Sequence, residues 1–222
     1  MPMDMGSVMP EKIPGEELYA KTLEPYEKEL GSLLIKWNDL HLALAMLFVA
    51  LNGAYLDEQD GQVLLSIWNA VPNERFQRNM LRQAAITKLT QATEQMRKDG
   101  IVIQQIADDE RATLAEITWI VDSADKLGRQ RDDAAHIPMT IQAGDTLTFV
   151  AADFLGHPIA EQFSKKNLLD EFNLCAARIT AINNHAREMY WFLYGKRQPS
   201  LPRRPIWPTS PRPSEHKDGK EQ

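Results

Sequence analysis

Apolar residues recur at three- and four-residue spacing along most of this chain. From about Pro25 to Leu51 they fall at Leu30, Leu33, Leu34, Trp37, Leu40, Leu44, Phe48 and Leu51. That spacing is the inward stripe of an amphipathic helix, and Asn52-Gly53 suits its end. A short helix over Glu16 to Glu24 precedes it, with Pro25 in the first turn of the longer one. A second helix is expected from Asp57 to Val71, with Val63, Leu64, Ile67 and Trp68 inward. Pro72 breaks it, and Asn73 caps a third helix reaching Lys98 and closed by Asp99-Gly100. A fourth helix, capped by Asp108 or Asp109, carries Leu114, Ile117, Val121, Ala124 and Leu127 on one face. Arg131 follows Leu127 by four residues and continues that inward face.

The periodicity then changes. Ile137-Pro138 stops the helix, because proline disfavours the helical conformation of the residue before it. Met139 to Phe154 alternates and is rich in Thr, Val and Phe, with Ala143-Gly144-Asp145 as a turn, which reads as a β-hairpin. Two strands alone are marginal, so the hairpin is expected to lie against the helices. The last helix, or helix pair, spans Ile159 to Tyr194, with Leu168, Phe172, Cys175 or Ala176, Ile179, Ile182, Ala186, Met189 and Leu193 inward. The fold class is therefore mainly α: an up-and-down bundle of about five helices with a short hairpin before the last long helix. Residues 1–14 read as a disordered leader, 15–195 as the helical domain, and 196–222 as a proline-rich, partly basic tail. Trp207 in that tail points to docking on the body or on a partner.

Composition narrows the class. A length of 222 residues suits one domain, and a net charge of −6 confines any nucleic-acid contact to a local basic patch. A single cysteine excludes an internal disulfide and fits a cytoplasmic location. The longest apolar run, Leu42 to Leu51, is half the length of a bilayer span and reads as a core helix, so no membrane association is expected. Phosphate loops, dinucleotide fingerprints, nucleophile elbows and zinc spacings are missing from the sequence. No metal or other cofactor is expected; Asp132 and His136 form one pair at helical spacing, and no second pair supports them.

What chemistry remains lies in Lys126 to Pro138, where Arg131, Asp132, Asp133 and His136 crowd together. An arginine, four intervening residues and a histidine, the first of them polar, at the end of an amphipathic helix, resembles the motif of the HEPN superfamily. The Trp37-Asn38-Asp39-Leu40 helix, the tryptophan of the second helix, the hairpin and the long last helix match the order found in HEPN-like proteins. The resemblance covers about residues 25–195 and implies a homodimer that cleaves RNA without metal, as an endoribonuclease or toxin-type effector. In that reading His136 is the acid or base, Arg131 grips the scissile phosphate and Asp132 orients them. Arg75, Arg78, Arg82 and Arg129 are the candidate substrate-binding rim. The resemblance also implies an alternative, a non-catalytic dimeric module binding a protein or a nucleotide. The twin aspartates depart from the asparagine common in the family and add negative charge beside the phosphate site. Read from the residues alone, Arg131, Asp132, Asp133 and His136 equally suit an ion-pair network that closes the helix.

Two further readings concern single histidines. His41 lies on the apolar stripe and is read as a core histidine or, alternatively, as a supporting group near the Arg131 motif, and His157, in a turn beside Pro158, is read as exposed. Arg178 and His185 repeat the arginine–histidine pattern inside the last helix and are read as structural.

Overall fold

The computed structural model describes residues 15–98, 104–143, 147–152, 156–195 and 200–209. The expected leader, the Asp99-Gly100 helix stop and the Gly144-Asp145 turn lie outside them. The described residues form six helices and one two-stranded antiparallel sheet. The helices are α1 (Glu16–Leu51), α2 (Gln59–Ala70), α3 (Glu74–Lys98), α4 (Gln104–His136), α5 (Pro158–Phe163) and α6 (Leu168–Leu193). The strands are β1 (Met139–Ala143) and β2 (Leu147–Ala151), between α4 and α5. The mainly α bundle with a hairpin before the last long helix is thus the observed fold.

α1 is the central element. Leu33, Trp37, Leu40, Leu44 and Leu47 are fully enclosed, and the most extensive packing is against α6. α6 answers with Leu168, Phe172, Ile179, Ile182 and Met189. α4 completes this core through Ile117, Ile120, Val121, Ala124 and Leu127. Among the described residues α1 is the one helix long and apolar enough to span a bilayer, but half of that apolar window is buried inside the bundle.

Several local expectations need correction. α1 is one helix from Glu16, not two joined at Pro25. Proline removes one helical hydrogen bond, and here the orphaned carbonyl lies on an exposed stretch that water can reach. α4 begins one turn before Asp108, so neither aspartate caps it. On α2 only Trp68 of the four expected inward residues is buried; Val63 and Ile67 are exposed. α1 is the main neighbour of this short helix and covers only a narrow stripe of it. α6 is capped by Asn167, whose side chain accepts from the Leu169 and Asp170 amides at 3.0 and 3.3 Å.

The hairpin is held by α1. Ile141 faces Phe149 across the ladder. The Tyr26 hydroxyl donates to the Phe149 carbonyl at 3.2 Å and accepts from the Phe149 amide at 3.3 Å. One side chain thereby satisfies both backbone groups of Phe149, midway along β2. Tyr19 and Tyr26 also meet the Phe149 ring edge-on.

Two glycines separate backbone from packing constraints. A Cβ on Gly61 would lie 1.8 Å from the Tyr55 carbonyl oxygen, whereas one on Gly31, inside α1, meets nothing. Gly61→Ala should destabilise the fold by more than ~2 kcal/mol, since backbone must move. Gly31→Ala should stabilise it by up to ~1 kcal/mol through helix propensity. Urea unfolding of both variants checks the pair; equal effects would show that the α2 entry is not pinned as described.

Candidate functional site

The site is assembled at the first turn of α3. The Asn73 side chain accepts from the Arg75 and Phe76 amides at 2.9 and 3.3 Å, fixing the start of the helix. Glu74 thus becomes its first residue, where a carboxylate is favoured by the helix dipole. Its side chain reaches across to α1 and α4. The Trp37 indole N–H donates to both Glu74 oxygens at 3.1 Å. Arg131 donates to Oε2 at 2.7 Å. The Arg131 guanidinium also lies over the Trp37 ring, 4.8 Å from its centroid. Arg78 approaches the same ring at 5.5 Å.

Space for this arrangement comes from Gly128. A Cβ there would stand 3.1 Å from the Trp37 ring and 3.4 Å from the Arg78 guanidinium. The sequence places Gly128 one turn before Arg131; what it admits is chiefly the indole.

A ladder of ion pairs joins α3 to α4. Arg78 donates to Asp125 at 2.6 Å and is buried. Arg82 pairs with Asp122 and, at 3.5 Å, with Asp125. Arg131 also lies 3.2 Å from the exposed Asp132 carboxylate. Of the four expected rim arginines, Arg78 and Arg82 are therefore engaged with α4. Arg75 and Arg129 are exposed and make no ion pair with any described residue; Arg129 contacts only the Asp125 backbone carbonyl at 3.4 Å.

These groups line a cleft of about 640 Å³ between α3 and α4, bounded by Asn73, Glu74, Arg75, Arg78, Arg129 and Arg131 among others. Asp132 also reaches it. A second hollow of about 490 Å³ adjoins it at Asn73, Arg75 and Asp125 and takes in Phe76 and Arg82. Four arginines face three carboxylates in the main cleft, a local positive excess in a chain of net charge −6.

His136 is not part of this cleft. It is the last residue of α4, is exposed, and makes no hydrogen bond or ion pair with a described residue. It lies five helical steps after Arg131, which turns it about 140° away from the arginine's face. Asp133 likewise lies outside, in a small hollow of about 140 Å³ shared with Cys175 and Arg178. Burial raises the Cys175 thiol to about 11, which makes it a poor nucleophile.

Of the two readings of His41 the structure favours the second: it is a member of the Glu74 cluster, beside Arg131. Its Nε2 lies 3.3 Å from Arg78 and 3.6 Å from Glu74. A guanidinium can only donate, so the Arg78 contact requires a lone pair on Nε2 and a neutral imidazole. Burial, the largest influence, lowers the His41 pKa; the Glu74 carboxylate opposes it, and the Arg78 and Arg131 cations reinforce it. The Glu74 contact is therefore not a charged pair at neutral pH. His157 is half-buried rather than exposed. His185 is buried and bonded to Glu116 at 3.2 Å, which gives it a structural partner.

Glu74 itself is the residue that sequence reasoning missed. The available signal was Trp37: an indole N–H on an inward stripe requires an acceptor. Comparison with known protein families, curated proteins and solved structures finds no match for this chain.

The lowered His41 pKa has a sign. The unfolded chain binds a proton on this residue at higher pH than the folded one, so stability is full above the unfolded value of about 6.5 and declines as pH falls below it. Thermal unfolding between pH 7.5 and 5 should show a steeper loss for wild type than for His41→Gln. Parallel curves would contradict the neutral assignment.

Proposed function

We propose that this chain is a non-catalytic HEPN-like module whose α3–α4 cleft binds a nucleotide through its phosphates. The observation that carries this reading is the engagement of Arg131. Its guanidinium is held by Glu74 and Trp37, and its face of α4 is turned away from His136. Withdrawing Arg131 to grip a scissile phosphate would cost Glu74 its shortest ion pair and Trp37 its nearer cation, leaving the carboxylate to the Trp37 N–H and to Arg78 at 3.8 Å. Arg75 and Arg129 carry no such obligation. They stand at the cleft mouth with their donors open to a phosphate, which a guanidinium fork meets in bidentate geometry. Phe76, exposed in the adjoining hollow next to Arg75, supplies an aromatic face at the distance of one residue from the phosphate grip.

One observation favours the ribonuclease reading. His136 is exposed at a helix end, where a second subunit would be free to bring its own motif alongside. In that reading the chain is a homodimer, and Arg131 must exchange Glu74 for substrate.

Two assays on the full chain separate them. Binding of a fluorescent adenosine diphosphate should be measurable, weaken with salt, and fall at least ~10-fold in Arg75→Glu/Arg129→Glu with unchanged helical content. RNA incubated with chelator should stay intact with wild type and with His136→Ala alike. Cleavage by wild type that His136→Ala abolishes would instead establish the ribonuclease, and absence of nucleotide binding by wild type would sink the binding reading.

A further inference from the structure

Residues 200–208 lie against the bundle on α4 and α6, away from the α3–α4 cleft. Their prolines fall at 202, 205 and 208, one every third residue. A polyproline helix has three residues per turn, so these prolines share one face. That face is the one turned to the protein: Pro202 is buried and Pro205 and Pro208 are half-buried. Arg203 is exposed, and Ile206, between Pro205 and Trp207, is 96% exposed.

Side chains make the contacts with α4 and α6. Arg204 donates to both Glu116 oxygens at 3.0 Å and lies over the Trp119 ring at 5.1 Å. Trp207 meets Trp119 edge-on, 6.2 Å between centroids. Arg178 covers the other side of Trp207 at 5.7 Å and donates to the Pro208 carbonyl at 3.0 Å. No backbone–backbone hydrogen bond among the described residues joins this segment to the helices.

The spacings of ligand and groove agree. Glu116, the partner of Arg204, is bonded to His185 on α6. Trp207, three residues after Arg204, meets Arg178, seven residues before His185. Three residues of polyproline rise about 9 Å and seven residues of α-helix about 10 Å. The segment therefore runs antiparallel to α6 and places its two anchors in step with two positions on that helix.

We propose that the α4–α6 groove is a peptide-recognition site for a proline-rich segment bearing an arginine three residues ahead of a Trp-Pro pair, occupied in cis by the chain's own residues 201–208. The recognition elements are those of polyproline binding: an aromatic floor at Trp119, an acidic anchor at Glu116 and a cation at Arg178. Five residues separate Gly195 from Leu201. So short a tether holds the segment at an effective concentration on the order of millimolar. A partner segment of the same pattern must outcompete that concentration. The groove is thus closed to weak ligands and open to a tight or locally concentrated one. This inference does not rest on the nucleotide reading, and either can fail without the other.

The test uses the full-length chain and a fluorescent synthetic peptide of residues 200–209. The Arg204→Ala/Trp207→Ala chain should bind the peptide saturably, with wild type at least ~10-fold weaker because its own segment competes. A peptide carrying Trp207→Ala should not bind, and adding Arg178→Ala to the opened chain should weaken binding. Circular dichroism checks folding of the opened chain; if it is unfolded, the single Arg204→Ala chain, which keeps Trp207 in place, is titrated instead and should still bind more tightly than wild type. Three results overturn the proposal. They are no saturable binding by a folded opened chain, equal binding by wild type, or a concentration-dependent wild-type dimer that Trp207→Ala dissolves, which would make the segment an element exchanged between copies.

Discussion

A single carboxylate, Glu74, ties three helices together, and the arrangement of charge around the α3–α4 cleft depends on it. The Trp37 indole comes from α1, Arg131 from α4, and Glu74 itself opens α3. Each partner answers a need of the others. A buried indole N–H needs an acceptor, an arginine on an inward face needs an anion, and a carboxylate at a helix start is favoured by the dipole. Gly128 leaves the gap into which the indole fits. Burial lowers the His41 pKa most, and the Arg78 cation beside it adds to that, which keeps the ring neutral at pH 7. The cluster fixes the mutual positions of α1, α3 and α4 more specifically than apolar packing does, since a one-turn slip of any helix would strand a charge.

Much of the fold was legible in the sequence because its signals are local and periodic. The α1, α4 and α6 stripes identified their buried faces, apart from Leu34 of α1, which is exposed, and the α4 stripe placed Arg131 inward. Proline at 138 ended α4 where expected, and the alternation after it gave the hairpin. The failures are non-local. Pro25 suggests a helix start, yet the chain continues through it, with Tyr26 immediately beyond bonded to β2. The α2 pattern cannot reveal how narrow a stripe its neighbour covers. Gly61 is required by a carbonyl six residues earlier, which no spacing rule marks.

The candidate site was legible in part and for a similar reason. Arg131, Asp132 and His136 are close in sequence, but a helix separates residues five apart by about 140°. The motif therefore divides between two faces, one inside the Glu74 cluster and one in solvent. The sequence offers Arg75, Arg78 and Arg82 of α3 as rim cations; which of them are consumed depends on Asp122 and Asp125, on the facing helix. Trp207 was conspicuous in the proline-rich tail, and its partners Trp119 and Arg178 come from two other helices. The result is a molecule with two separate proposed recognition surfaces of unlike chemistry. One is an arginine-lined cleft with two uncommitted cations. The other is an aromatic groove filled by the chain's own proline-rich segment.

The central claim is that Arg131 is a structural partner of Glu74 rather than a side chain held in reserve for substrate. A double-mutant cycle on unfolding free energy, with Glu74→Gln, Arg131→Met and the combination, measures that coupling directly. The account requires the two substitutions to be strongly non-additive, with a coupling of about 1 kcal/mol or more. Additive effects, with Arg131→Met costing little by itself, would contradict it and return the arginine to the pool of groups available for chemistry.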